Sequence, residues 1–550
     1  MQDVLDGRNR VVSVGQDLGW FWLESCGLGR DSRECIGLSS HLSNIVNTSA
    51  LLNRITMTSP LCLRCLRRSL QSIDHQRNAV LAQRAAFSTT SLLHAQSPAT
   101  PKKKAVQAAT STTRTGKRLT LTKNTRQSTG RPPAPGERKA VRKRIVLSNT
   151  NALEVKGLQD FTFDKLVEQS KGKIPLESYR GQVLGFGNET VDALRALEAF
   201  KATQGWSLFR RPASLIRGET VEVANEMIKV TSESKRAARR VIFGEKGSGK
   251  SALLLQAHAM AHLKGWIVVH YPEAQDLVNA HTAFAPLNTS DGTLYVQPQY
   301  TANLLKNLAA ANQSVLSTLR LSKQHNLPIP IQPNISLARF AEMGASDPEL
   351  AYPIWQALWS ELTTPSNAES QDGLQRPPFL VTMDGVDQAM RMSAYLDADV
   401  KPIHAHDLAL VRDFMALLSG ETSMPNGGMV MAATCQSNRG ASPTLDHLLN
   451  LSIAQQDNSN LSANAEDRLE EPMYDPYAPK DTRVEAAMKG VQAMKLSGLS
   501  KDEAKGMMEY YAQSGILRDT VTDGLVSEKW TLAGSGIVGE LEKGAVRMRF

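Results

Sequence analysis

An α/β fold built on a parallel sheet is what this sequence predicts, and three observations predict it. The first is Gly244-Glu245-Lys246-Gly247-Ser248-Gly249-Lys250-Ser251, a G-x-x-x-x-G-K-[ST] octapeptide. It sits between an apolar run, Val241-Ile242-Phe243, and a stretch of good helix formers at 252–261. The second is a further apolar run, Trp266-Ile267-Val268-Val269-His270-Tyr271, reached through the turn Lys264-Gly265. Strand, helix and strand in that order give a right-handed crossover between parallel strands. The third is Phe379-Leu380-Val381-Thr382-Met383-Asp384, which follows Pro377-Pro378 and ends on a carboxylate. Apolar on both faces and polar at its tip, it reads as a buried strand that delivers Asp384 to a site.

The octapeptide carries the chemistry. Its glycines let backbone N–H groups close around a phosphate lying at the positive end of the following helix. Residues 244–251 with Ala252 are therefore the predicted nucleotide contacts; Lys250 reaches the β- and γ-phosphates, and the Ser251 hydroxyl ligates Mg²⁺. Asp384 is the second predicted Mg²⁺ residue. The whole implies a P-loop NTPase fold, AAA+/STAND-like, with helical insertions, a helical C-terminal module and a disordered basic N-terminal region.

Catalysis is less well provided for. Ring-forming ATPases place Glu directly after this Asp to activate water, but here the position is Gly385 and the next carboxylate is Asp387. Arg391 and Arg439 qualify as arginine fingers only by their sign. The strand at 428–435 ends in polar residues, of which Thr434 and Asn438 are candidate sensors of the γ-phosphate or of metal-bound water. The sequence thus predicts a protein that holds nucleotide and hydrolyses it slowly or not at all.

The other elements follow in order. Residues 146–235 are expected to form a helical region, with amphipathic helices at 191–200 and before Arg239-Arg240. The nucleotide-binding domain spans 236–455, interrupted at about 272–376 by a mainly helical insertion. Leu304, Leu308, Ala311, Val315 and Leu319 repeat there at helical spacing, as do Ile354, Leu358 and Leu362 after Pro353. Asp407 is placed to open a helix that Gly420 closes. Residues 456–482 read as an exposed loop. Residues 483–550 read as a helical or winged-helix-like module, with helix from Val484 to Lys495 and a second helix opened by the capping box Ser500 and Glu503. Tyr510 and Tyr511 on that helix are read as packing residues.

Charge is unevenly spread. Residues 57–144 hold 19 Lys and Arg against two acids, Asp74 and Glu137, leaving 44 bases and 52 acids elsewhere. Residues 57–95 are Arg- and Ser-rich and nearly acid-free, the profile of a mitochondrial transit peptide. Residues 1–56 contain six acids and read as an upstream extension, with Met57 as the working initiator. Residues 96–145 are too polar to bury a core and form a basic extended arm suited to RNA phosphates. The candidate contacts are Lys102, Lys103, Lys104, Lys117, Arg118, Arg138, Lys139, Arg142, Lys143 and Arg144. Cys62 and Cys65 have metal-knuckle spacing, but no second pair completes four ligands. No apolar run is long enough to span a membrane.

These residues resemble a known family. The octapeptide, Gly265-Trp266-Ile267-Val268, Pro272-Glu273-Ala274, Gln297-Pro298, Leu304-Leu305-Lys306-Asn307 and Met383-Asp384-Gly385 look like the death-associated protein 3 family. That family is the GTP-binding protein of the mitochondrial small ribosomal subunit, and the likeness covers roughly residues 190–550, with an N-terminal arm of fungal style. The resemblance implies a structural protein in the head of the small subunit, touching small-subunit rRNA, other small-subunit proteins and a bridge to the large subunit. It also implies GTP or GDP with Mg²⁺, ATP being the weaker candidate. The sequence lacks Asn-Lys-x-Asp, the usual guanine reader. Two other readings remain open: an active mitochondrial NTPase or switch with an apoptotic or regulatory role, and a DNA-binding initiator-type ATPase.

Overall fold

Five strands make the central sheet: β1 (Ala237–Phe243), β2 (Ile267–Tyr271), β3 (Phe379–Asp384), β4 (Gly428–Ala433) and β5 (Gln492–Lys495). All pair in parallel, in the order β5-β1-β4-β3-β2. In this computed structural model the described residues are 145–167, 174–231, 237–290, 292–332, 334–366, 373–437, 442–457, 474 and 480–546. The expected extension, transit peptide and all ten basic candidate contacts lie outside them, as do Asn438, Arg439 and most of the 456–482 loop.

The sheet is covered on both sides, and its apolar strands alternate between two cores. Every residue of β2, β3 and β4 is buried, as expected of parallel strands whose crossovers cover both faces. Val269, Val381, Val430 and Val241 face one core, while Val268, Leu380, Met431 and Ile242 face the other. The second core is filled by α1 (Asn188–Ala196), α2 (Gly218–Lys229) and α3 (Lys250–Leu263), the helix that follows the phosphate loop. The first is filled from the insertion, by α4 (Ala274–Val278), α5 (Pro298–Ala311), α6 (Leu337–Ser346) and α7 (Pro348–Leu362), and by α8 (Ala409–Ser419). Leu304, Leu308, Ala311, Leu319, Ile354, Leu358 and Leu362 are buried and Val315 is half-buried, so both stripes face core, although the first is not one helix: α5 ends at Ala311 and Leu319 lies beyond the short helical turn Gln313–Leu316. The second stripe's helix begins earlier than Pro353, because Asp347 caps it by accepting from the Glu349 N–H at 2.9 Å.

Three expectations need correcting. Residues 484–495 are not one helix: beyond α9 (Pro443–Asp457), α10 (Thr482–Ala487) ends early, Gly490 turns at φ +72°, and the chain continues as β5. Pairing with the open side of β1 overrides local helix propensity there. The remainder is α11 (Lys501–Gln513), α12 (Asp523–Leu532) and α13 (Val538–Ala545), the helical form of the two expected. The region 146–235 is mixed, since Val183–Gly185 pairs antiparallel with Ala213–Leu215. Asp407 does not cap α8; Leu408 stands at the cap, and Asp407 pairs with Arg483 at 2.9 Å.

Other details agree. Ser500 and Glu503 form the capping box of α11, and Gly420 closes α8 at φ +90°. Tyr510 and Tyr511 are buried, with ring centroids 5.1 and 5.6 Å from that of Phe209. This packing joins the C-terminal helices to the strand pair of the N-terminal region. No helix among the described residues is long and apolar enough to cross a membrane.

Candidate functional site

The site lies at the carboxyl ends of the parallel strands, where β1 and β3 end on either side of β4. Open α/β sheets bind ligands there because the loops leave the sheet in opposite directions. From the end of β1 the chain turns through Gly244, Gly247 and Gly249, at φ +150°, +81° and +99°, and enters α3 at Lys250. At Gly244 a Cβ would collide with the Leu496 carbonyl. Lys250 is largely buried and donates from Nζ to the carbonyls of Gly244 at 2.8 Å and Glu245 at 2.7 Å. Its ammonium is thus laid across its own loop, while the first N–H groups of α3 carry the helix's positive pole.

The two residues expected to share a metal are hydrogen-bonded to each other: Ser251 Oγ donates to Asp384 Oδ2 at 2.7 Å, across 133 residues of sequence. Two buried hydroxyls at the site, Ser248 Oγ and Thr434 Oγ1, have no hydrogen-bond partner within the protein. An unpaired buried hydroxyl is costly, and both are of the kind that phosphate or metal-bound water satisfies. Glycines that bring backbone close, a tethered ammonium, a hydroxyl–carboxylate pair and two orphaned hydroxyls all fit Mg-nucleotide. No group of three His, Cys, Asp or Glu among the described residues could hold a metal unaided. A metal would therefore depend on phosphate oxygens beside Ser251 and Asp384.

The residues after Asp384 have other duties. Gly385, at φ +82°, donates its N–H to Ala433 O at 2.7 Å and turns the chain away. Asp387 is buried and accepts the Cys435 N–H at 2.6 Å, joining the turns that follow β3 and β4. Arg391 is bonded to Gln388. Thr434 follows β4 and donates its N–H to Ile242 O at 2.9 Å, which places it beside the end of β1.

Sequence reading missed the residues that come from elsewhere in the chain. Lys201, in the segment after α1, places Nζ 2.9 Å from Asp384 Oδ2, 2.5 Å from Pro272 O and 3.9 Å from Glu273 Oε1. Arg217 is buried and donates to Ser248 O at 2.7 Å, to Ser497 O at 2.8 Å and to Glu219 at 3.2 Å. Gly539, in the first turn of α13, donates its N–H to Gly247 O at 2.9 Å. Glycine-rich loop, N-terminal region and C-terminal module are therefore bonded together. No local motif announces a lone Lys or Arg of this kind.

Beneath Asp384 lies a buried polar trio. His258 of α3 and His270 of β2 each hydrogen-bond Thr382 Oγ1 at 2.7 Å. Burial holds both imidazoles well below their ordinary pKa, His270 at about 3 with Lys201 as a second cause. Both rings are neutral at pH 7, and the Thr382 hydroxyl, which also reaches Val269 O at 3.5 Å, is shared between them. Beside the site, a groove of about 520 Å³ is lined by residues including Arg195, Glu198, Lys201, Glu273 and Tyr300.

Comparison with known proteins gives the family. The family model for mitochondrial ribosomal death-associated protein 3 matches residues 214–544, more than half of the chain. A small ribosomal subunit protein mS29 from Neurospora crassa is 44% identical over 421 residues, covering 76% of this chain and 84% of its own length. Proteins of the same name from Schizosaccharomyces pombe and Bos taurus are 23% and 24% identical, covering 64% and 42% of this chain and 66% and 55% of their own lengths. With the family model and the Neurospora relative agreeing over most of its folded length, this mitochondrial chain belongs to the mitochondrial ribosomal death-associated protein 3 family.

Proposed function

We propose that the protein is a structural constituent of the mitochondrial small ribosomal subunit and carries a guanine nucleotide, GTP or GDP, with a P-loop NTPase fold as its holder. The ribosomal part is supported by the relatives, each called a small ribosomal subunit protein. The nucleotide part rests above all on the Ser251–Asp384 hydrogen bond of 2.7 Å, which joins the phosphate loop to the carboxylate-tipped strand. Residues 244–252 bind the phosphates, with Lys250 swinging from its own loop carbonyls to the ligand. Ser251 and Asp384 would hold Mg²⁺, which when bound neutralises phosphate charge. Thr434 satisfies its hydroxyl on the γ-phosphate side.

The ligand serves stability more than turnover. Asp387 Oδ1 accepts the Cys435 N–H and Glu273 lies 3.9 Å from the Lys201 ammonium, and the general-base role is assigned to neither. A ligand at a hundred times its dissociation constant stabilises its holder by about 2.7 kcal/mol. Here that energy tightens a loop to which the N- and C-terminal regions are both hydrogen-bonded. The basic arm, Lys102 to Arg144, lies on small-subunit rRNA, and other faces meet neighbouring small-subunit proteins and a bridge to the large subunit.

Two experiments test the reading. Sedimentation of mitochondrial lysate at low and physiological salt should carry the protein with the small subunit; recovery in light fractions at physiological salt overturns the ribosomal role. Lys250→Ala should lower bound guanine nucleotide at least about tenfold and the unfolding midpoint with it. A variant with undiminished nucleotide content refutes the loop's role.

A further inference from the structure

We propose that Lys201 is a built-in cation that makes guanine nucleotide retention independent of Mg²⁺; the inference rests on the nucleotide reading above. Its ammonium sits 2.9 Å from Asp384 Oδ2, the same oxygen that accepts the Ser251 hydroxyl at 2.7 Å. It is held in place independently of that carboxylate, because Nζ also donates to Pro272 O at 2.5 Å, at the end of β2. Its side chain is only 18% exposed. A lysine fixed by a backbone carbonyl and shielded from water is part of the site's architecture.

Charge then decides what the site requires. In a metal-dependent phosphate site the carboxylate at Asp384 is neutralised by the divalent ion, and phosphate charge is neutralised with it. Here an ammonium already neutralises Asp384, at the mouth of the phosphate loop. A divalent ion held between Ser251 and Asp384 would lie within a few ångströms of that ammonium, where like charges repel strongly in a poorly screened site. Lys201 therefore weakens Mg²⁺ binding and supplies positive charge itself. The charge that Mg²⁺ would bring from solution is attached to the chain. Glu273, 3.9 Å from Nζ, gives the ammonium a second acidic neighbour, so it is retained at the site whether Asp384 is bonded to it or not.

The test loads the full chain with GDP in Mg²⁺, removes the metal with EDTA, and measures GDP retained against time, with Mg²⁺ affinity read by calorimetry. Wild type is expected to keep its GDP in EDTA, and so is Lys201→Arg, which conserves the charge. Lys201→Met is expected to release GDP at least about tenfold faster in EDTA, to be rescued by Mg²⁺, and to bind Mg²⁺ about tenfold more tightly. Asp384→Asn separates this role from a merely structural ion pair: it breaks the pair but keeps the cation, so GDP should survive EDTA. This variant also decides the matter if Lys201→Met does not fold. The inference is overturned if wild type loses GDP at least about tenfold faster in EDTA than in Mg²⁺, or if Asp384→Asn loses GDP in EDTA at least about tenfold faster than wild type. Failure of every form to hold GDP even in Mg²⁺ overturns the nucleotide reading, and this inference with it.

Discussion

The two halves of the candidate site are built in opposite ways. The glycine-rich half is one continuous stretch, residues 244–251, whose backbone, helix start and lysine lie within eight positions. The opposing half is collected from the whole chain: Lys201 and Arg217 from the N-terminal region, Asp384 from β3, Thr434 after β4, and Gly539 from α13. The first half can be recognised anywhere, because close approach of backbone to phosphate demands glycine at fixed spacing. The second half exists only in the folded chain. It decides whether the loop belongs to an enzyme or to a scaffold.

The largest expected effect comes from the half that was gathered by folding. Arg217 satisfies the carbonyls of Ser248 and Ser497 from a buried position, and it bonds Glu219 as well. Arg217→Met takes the donor from the carbonyl of the buried Ser248 and should cost about 2–4 kcal/mol. It should also loosen nucleotide binding, although Arg217 belongs to no nucleotide motif. Denaturant unfolding with and without GDP measures both. A loss below about 0.5 kcal/mol would show that the C-terminal module is held to the loop by other contacts.

Legibility in the sequence follows the same division. β2, β3 and β4 were readable because strands buried on both faces must be apolar throughout, and β3 occupies the expected residues, Phe379–Asp384. The loop and Asp384 were readable as a pair, and the 2.7 Å Ser251–Asp384 bond joins them. β5 was not, because Gln492-Ala493-Met494-Lys495 has no strand signal of its own and becomes a strand by pairing with β1. Lys201 was invisible for a similar reason: its partners lie 71 and more residues away, at Pro272, Glu273 and Asp384. Asp387 was read as the next carboxylate after Asp384, yet a backbone N–H of the neighbouring strand's loop takes it.

A middle-sized effect should appear with pH, and it sharpens the comparison by probing the layer beneath both halves. The folded-state pKa of His270 is about 3 and that of His258 is also depressed, against about 6.5 in an unfolded chain. Below pH 6.5 the unfolded chain takes up protons that the folded chain refuses. The stability these rings contribute is therefore complete above pH 6.5 and is lost as pH falls towards 3, by up to about 1.4 kcal/mol per histidine per pH unit. Denaturant unfolding at pH 7, 6 and 5 reads the slope. His270→Asn, which retains a hydrogen-bonding side chain without the titration, should flatten it; an unchanged slope would place the pH sensitivity elsewhere.

The smallest effect on the fold, and the sharpest on the ligand, belongs to Thr434. Its hydroxyl is buried and has no partner within the protein, so the fold gains little from it. Thr434→Val matches its shape and removes an unsatisfied polar atom, and the unfolding free energy without nucleotide should stay level or rise by up to about 1 kcal/mol. Nucleotide binding should move the other way. If the hydroxyl meets the γ-phosphate or the water around its metal, GTP affinity falls by about five- to tenfold while GDP affinity barely changes. Titrating both nucleotides into the variant separates the cases. Equal loss for GTP and GDP would place Thr434 beside the inner phosphates, and no loss for either would remove it from the site. An effect confined to GTP would show that the gathered half of the site reads the third phosphate, which the local half, made of loop backbone and Lys250, is not alone in holding.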